Sequence, residues 1–147
     1  MTMTRWGSAG AFLFAASLLW LGRDPACAAE LKVTVDHIRP GKGAVRVVLY
    51  GDADSFRHEE RARKVLSMPA ATDSVTLDFQ DLPAGTYAVM AYHDANDNKT
   101  LDLILGMFPD EGWGLSNDPS VIGPPSFKAS AFDVTEPGNN INVHLHY

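Results

Sequence analysis

Residues 75–92 read VTLDFQDLPAGTYAVMAY. Val75, Leu77 and Phe79 alternate with Thr76 and Asp78, the period-two pattern of a strand buried on one face. Leu82-Pro83-Ala84-Gly85 interrupts it with the proline and glycine of a turn. A second alternation follows, with Tyr87, Val89 and Ala91 on one side and Ala88, Met90 and Tyr92 on the other.

The pattern extends outward in both directions. Upstream, Leu31, Val33 and Val35 alternate, Asp36-His37 breaks the run, and Ile38 continues it. Gly41 to Gly43 turn the chain into Val45–Tyr50, a β-branched, apolar run that reads as a central strand. Downstream, Ile141, Val143 and Leu145 alternate with Asn142, His144 and His146. Asp54 to Leu66 is charged and reads as a short helix or a polar connection, with Phe56 directed into the core. Strands at short spacing, joined by Gly/Pro turns and without long amphipathic helices, predict an all-β, Ig-like antiparallel β-sandwich. Such strands bury one face and wet the other. The chain shows no internal repeat.

The N-terminus reads as a secretory signal peptide over residues 1–29, leaving one domain over 30–147. Arg5 is followed by the uncharged apolar run Ala9 to Gly22, then by Arg23-Asp24-Pro25 and the small residues Ala26-Cys27-Ala28-Ala29. Cleavage is expected after Ala28 or Ala29, with export to the periplasm or the cell exterior. Bacterial lipidation of a cysteine wants Leu three positions before it, and Asp24 stands there before Cys27. A mature chain without Cys27 has no cysteine, so a core or an ion rather than a disulfide must stabilise it.

Cutting after Ala29 leaves 118 of the 147 residues, enough for one core. Removing Arg5, Arg23 and Asp24 takes Lys+Arg from 12 to 10 and Asp+Glu from 18 to 17, a net charge of −7. That balance repels phosphate backbones and excludes nucleic acid as a partner class. No run in the mature chain is long enough to span a membrane.

After Tyr92 the chain turns polar. In His93-Asp94-Ala95-Asn96-Asp97-Asn98-Lys99-Thr100-Leu101-Asp102, oxygen side chains stand at Asp94, Asn96, Asn98, Thr100 and Asp102. Thr100 holds the position that gives a backbone carbonyl in an EF-hand-like loop, and the others hold side-chain ligand positions. Calcium accepts about six to eight hard oxygen ligands with tolerant geometry, so Ca²⁺ is the candidate cofactor. Lys99 stands where such a loop has its turning glycine, and Leu105 where it has its closing glutamate. Asp110 or Glu111 must then close the site. An Asx-rich turn without an ion is the competing reading.

Enzyme chemistry has little to stand on. Gly114-Leu115-Ser116-Asn117-Asp118 lacks the second glycine of a nucleophile elbow. His93 beside Asp94 reads as an anchor at a strand end. His144 and His146 share a strand face and would make half a zinc or copper site at best; they read as a solvent-exposed face near the C-terminus. The chain is therefore read as a non-enzymatic module. The alternative is a sugar- or peptide-binding module using Tyr92, Phe108 and Trp113; a hydrolase stands behind both.

Beyond the loop, Gly106 to Phe127 is rich in Gly and Pro yet carries Phe108, Trp113 and Phe127, which argues for an ordered segment folded over the end of the sandwich. Several motifs here resemble the bacterial family DUF2141: Leu82-Pro83-x-Gly85, Tyr87-Ala88-Val89, His93-Asp94-x-Asn96-x-Asn98-x-x-Leu101-Asp102, Glu111-Gly112-Trp113-Gly114-x-Ser116-Asn117, Gly123-Pro124-Pro125-x-Phe127 and Ala131-Phe132. The resemblance covers essentially the whole mature chain. It implies an exported, transthyretin-like or carboxypeptidase-regulatory-like sandwich and supplies no catalyst. The family usually has glycine at Lys99 and Gly-x-Pro where this chain has Gly106-Met107-Phe108-Pro109.

Overall fold

The structure, a computed structural model, describes residues 28–120 and 122–147. The apolar N-terminal run and Cys27 lie outside them. The elements are β1 (Ala29–Asp36), β2 (Ala44–Tyr50), a 3-10 turn (Glu59–Arg61), β3 (Lys64–Pro69), β4 (Val75–Leu82), β5 (Gly85–Asp94), β6 (Leu103–Ile104), β7 (Phe108–Pro109), β8 (Trp113–Leu115), α1 (Phe127–Ser130), β9 (Phe132–Val134) and β10 (Gly138–His144). No helix among the described residues is long and apolar enough to cross a membrane.

The fold is an all-β sandwich. One sheet has the order β10-β1-β4, and the other β3-β2-β5-β8 with β9 also on β5. All pairings are antiparallel except β1 with β10, which is parallel from Glu30↔Gly138 to Asp36↔His144. The Leu82–Gly85 turn carries the chain from one sheet to the other. Proline suits this corner, and its carbonyl accepts the Tyr87 hydroxyl at 2.8 Å.

Leu31, Val33 and Val35 of β1, Val75, Leu77 and Phe79 of β4, and Val143 of β10 meet Val45, Val47, Leu49, Tyr87, Val89 and Ala91 between the sheets. For β1 and β4 the expected alternation holds. β2 and β5 differ, being buried on both faces. Their outer face carries Val48, Tyr50, Ala88, Met90 and Tyr92, covered by Phe56 and Leu115 with Trp113 and Phe127 alongside. Phe56 stacks edge-on against both Tyr50 and Phe127, with centroids 5.2 and 5.9 Å apart. The charged 54–66 stretch resolves into the 3-10 turn and the start of β3. β3 is an edge strand with mostly exposed side chains, where Lys64 and Pro69 at its two ends discourage pairing with another chain.

The free edge of β5 is divided. β9 pairs with Gly85–Tyr87 and β8 with Met90–Tyr92. Ser116 fills the gap between them. Its Oγ accepts the Val89 N–H at 2.9 Å and donates to the Ser130 carbonyl at 2.5 Å, while its own N–H donates to the Val89 carbonyl. Ser116 is buried, so Ser116→Ala orphans two backbone groups that water cannot reach. A loss of about 1–3 kcal/mol is expected. Urea unfolding should resolve this against Ser120→Ala, expected within about 0.5 kcal/mol of the parent.

Candidate functional site

β5 carries the chain to Asp94, which has no exposed surface. A buried carboxylate needs compensating donors. Asp94 Oδ1 accepts the N–H of Asn98 at 3.0 Å and Oδ2 that of Lys99 at 2.8 Å. The chain must double back to present those amides, and Asp97 and Lys99 adopt φ values of 58° and 66°. Lys99 thus takes the left-handed conformation that its place in the loop demands, at a cost of about 1–2 kcal/mol.

The remaining side chains knit the loop together. Asn96 and Asn98 donate their amides to Oδ2 and Oδ1 of Asp102 at 2.6 and 2.9 Å. Asn96 Oδ1 accepts the Asn98 N–H, and Asn98 Oδ1 accepts both the N–H and the hydroxyl of Thr100. Glu111 closes the knot, accepting the N–H groups of Ala95 and Asp102 at 2.9 and 3.2 Å. Of the two acids considered for closure, Glu111 reaches the loop with its side chain. Asp110 meets it through its backbone N–H, on the Asp102 carbonyl.

The donor set is all oxygen, which suits a hard cation. Each oxygen of Asp94, Asp102 and Glu111 accepts one N–H and keeps a second lone pair. These three carboxylates do not gather ligand atoms within 4.8 Å of one another. The residue types therefore fit calcium, while coordination requires the carboxylates to draw inward.

The aromatic candidates separate. Tyr92 and Trp113 are partners across β5 and β8, but Tyr92 is buried. Its hydroxyl donates to Glu59 Oε2 at 2.7 Å and accepts from Arg46 Nε at 2.9 Å, and Arg46 is ion-paired with Glu59. Burial, with the Glu59 bond second, pushes the Tyr92 phenol well above its ordinary pKa. Trp113 is half-buried against the outer cluster, exchanging backbone hydrogen bonds with His146. Phe108 is 63% exposed on the β6–β7 hairpin, beside Leu105 at 83% and Met107 at 68%. The three rings do not form one platform.

His93 is an anchor. Its Nε2 faces the Lys42 carbonyl at 2.8 Å and so must donate, leaving Nδ1 to accept the Tyr147 hydroxyl at 2.9 Å. His144 and His146 go to different acids, Asp36 at 2.6 Å and Asp118 at 2.8 Å. β10 ends at His144, so strand alternation no longer places His146 beside it. The Arg46–Glu59 pair joins residues 13 apart and is not legible in the sequence. The one signal was an arginine inside the otherwise apolar run Val45–Tyr50.

The chain belongs to the DUF2141 family, whose model, described as an uncharacterized protein conserved in bacteria, matches residues 33–142. No curated protein and no solved structure matches it.

The two neighbouring acids should separate on substitution. Glu111→Ala releases the amides of Ala95 and Asp102 and should cost about 1 kcal/mol. Asp110→Ala should stay within about 0.5 kcal/mol of the parent. Thermal melts measure the stabilities, and faster hydrogen exchange at the Ala95 amide should appear in the Glu111 variant alone.

Proposed function

We propose that the chain is an exported, non-enzymatic sandwich domain whose 94–102 loop, closed by Glu111, binds Ca²⁺ weakly and is stabilised by it. One observation carries the calcium reading. Asp94, Asn96, Asn98, Thr100, Asp102 and Glu111 join in a single hydrogen-bonded network around a left-handed Lys99. Binding an ion would draw the Asp94, Asp102 and Glu111 carboxylates together within the network they already share. Asp94, Asp102 and Glu111 would be the anionic ligands, with the Asn and Thr oxygens supplementing them.

Commitment of Ser116 and His93 to structural hydrogen bonds supports the non-enzymatic part. A sugar- or peptide-binding platform has less behind it, because Tyr92 is buried and Trp113 is half-buried against the outer cluster, leaving only Phe108 exposed among the three rings. Ca²⁺ at ten times its Kd stabilises the native state by about 1.4 kcal/mol, roughly 5 °C in Tm for a domain of this size. The midpoint should therefore rise with millimolar Ca²⁺ over EDTA in the parent and not in Asp102→Ala. An identical midpoint in calcium and in EDTA overturns the proposal.

Export makes a second prediction. Ala29 is buried in β1 opposite Leu82, and Ala26-Cys27-Ala28 has the small-x-small form of a cleavage site. Cutting after Ala28 keeps β1 whole. Mass spectrometry of the exported protein should find Ala29 as its first residue; the full-length mass alone would contradict export by cleavage.

A further inference from the structure

β1 and β10 run parallel, with Asp36 in register with His144. The Leu145 N–H donates to the Asp36 carbonyl at 3.2 Å and fixes the end of the pair. The chain then leaves β1 through His37 at φ 58°, a left-handed conformation disfavoured for a residue with a Cβ. The kink brings the His37 ring to 5.4 Å from the His144 ring, centroid to centroid, tilted by 40°. Asp36 Oδ1 sits 2.6 Å from His144 Nδ1 and 3.5 Å from His37 Nδ1. One ligand atom from each of Asp36, His37 and His144 lies within 4.8 Å of the other two, the one such group of His, Cys, Asp or Glu among the described residues.

We propose that Asp36, His37 and His144 bind a divalent transition cation of the zinc class, with solvent completing its coordination. Two imidazoles and a carboxylate suit Zn²⁺ and its neighbours, whereas Ca²⁺ and Mg²⁺ prefer oxygen. Ligands about 2.0–2.2 Å from a tetrahedral ion stand roughly 3.4 Å apart. The Asp36–His37 spacing already matches, and the Asp36–His144 pair must open by less than about 1 Å.

The side chains are reachable, with relative exposures of 31% for Asp36, 70% for His37 and 39% for His144. Three protein ligands leave one position open, the arrangement of zinc sites that keep a water. The turn at His37 sets a second, exposed imidazole beside the Asp36–His144 pair. The site shares no residue with the calcium loop, so each proposal can fail alone.

The test is a calorimetric titration of the purified full chain, free of any histidine tag, with ZnCl₂. Co²⁺ serves as a spectroscopic probe for its visible tetrahedral bands. One zinc per chain is expected, uncompeted by excess Ca²⁺. Loss of even an outer-shell partner weakens metal sites about 10–100-fold, so His37→Ala and His144→Ala should each weaken binding at least tenfold. Both should erase the Co²⁺ bands. His144→Gln, which keeps a hydrogen-bonding side chain beside Asp36, should lose the metal while melting as the parent does. His58→Ala, His146→Ala and Cys27→Ser should bind as the parent. No saturable uptake at millimolar zinc, or an affinity equal to the parent's in the His37 or His144 variant, overturns the proposal. So does loss confined to the His58, His146 or Cys27 variants.

Discussion

From Tyr87 to Asp94 every side chain of β5 is buried. Its inner face meets β1, β4 and β10 across the sandwich, and its outer face lies under Phe56, Leu115 and their neighbours. Complete burial of a large apolar side chain contributes about 1.5–3 kcal/mol. It also leaves no backbone group of β5 free to turn to water. β2 satisfies one edge along Ala88–Asp94. The other edge is satisfied piecemeal by β9, Ser116 and β8, which is why the chain from 113 to 134 must return to this strand.

The loop inherits that constraint. β5 delivers Asp94 into the interior, and its carboxylate draws in the amides of Asn98 and Lys99. That contact forces the tight reversal and commits Lys99 to a left-handed backbone. Tyr92, two residues earlier, ties the same end of the strand to Arg46 and Glu59. The Asn/Asp-rich segment is therefore ordered by the strand before it and by Glu111 behind it.

The residues from Gly112 to Asn117 acquire physical reasons in the same way. A Cβ on Gly112 would collide with the Tyr147 ring, and one on Gly114 with the His144 carbonyl. The glycines let β8 slip between β5 and the end of β10. Ser116 then bridges β5 to the end of α1, and Asn117 donates its amide to the Ala131 carbonyl at 2.8 Å. The Gly112-Trp113-Gly114-x-Ser116-Asn117 run is a docking device for a three-residue strand.

Alternation in the chain marks β1, β4, β5 and the closing strand, because side-chain period two is a local consequence of extended backbone, and a β-branched apolar run marks β2. The spacing of Asp and Asn marks the oxygen-rich loop, in which Lys99 reads as a departure from the turning glycine; the structure puts it at φ 66° all the same. β3, β8, β9 and α1 escape these patterns, since exposed edges and elements of three or four residues carry no period to read. Tertiary structure alone decided that the strands flanking Leu82–Gly85 belong to different sheets, and that β1 and β10 pair in parallel. It also decided that Glu111 rather than Asp110 closes the loop, and that His144 meets Asp36 and His37. Each depends on contacts between residues distant in the chain, and such contacts leave no mark on the local spacing of side chains.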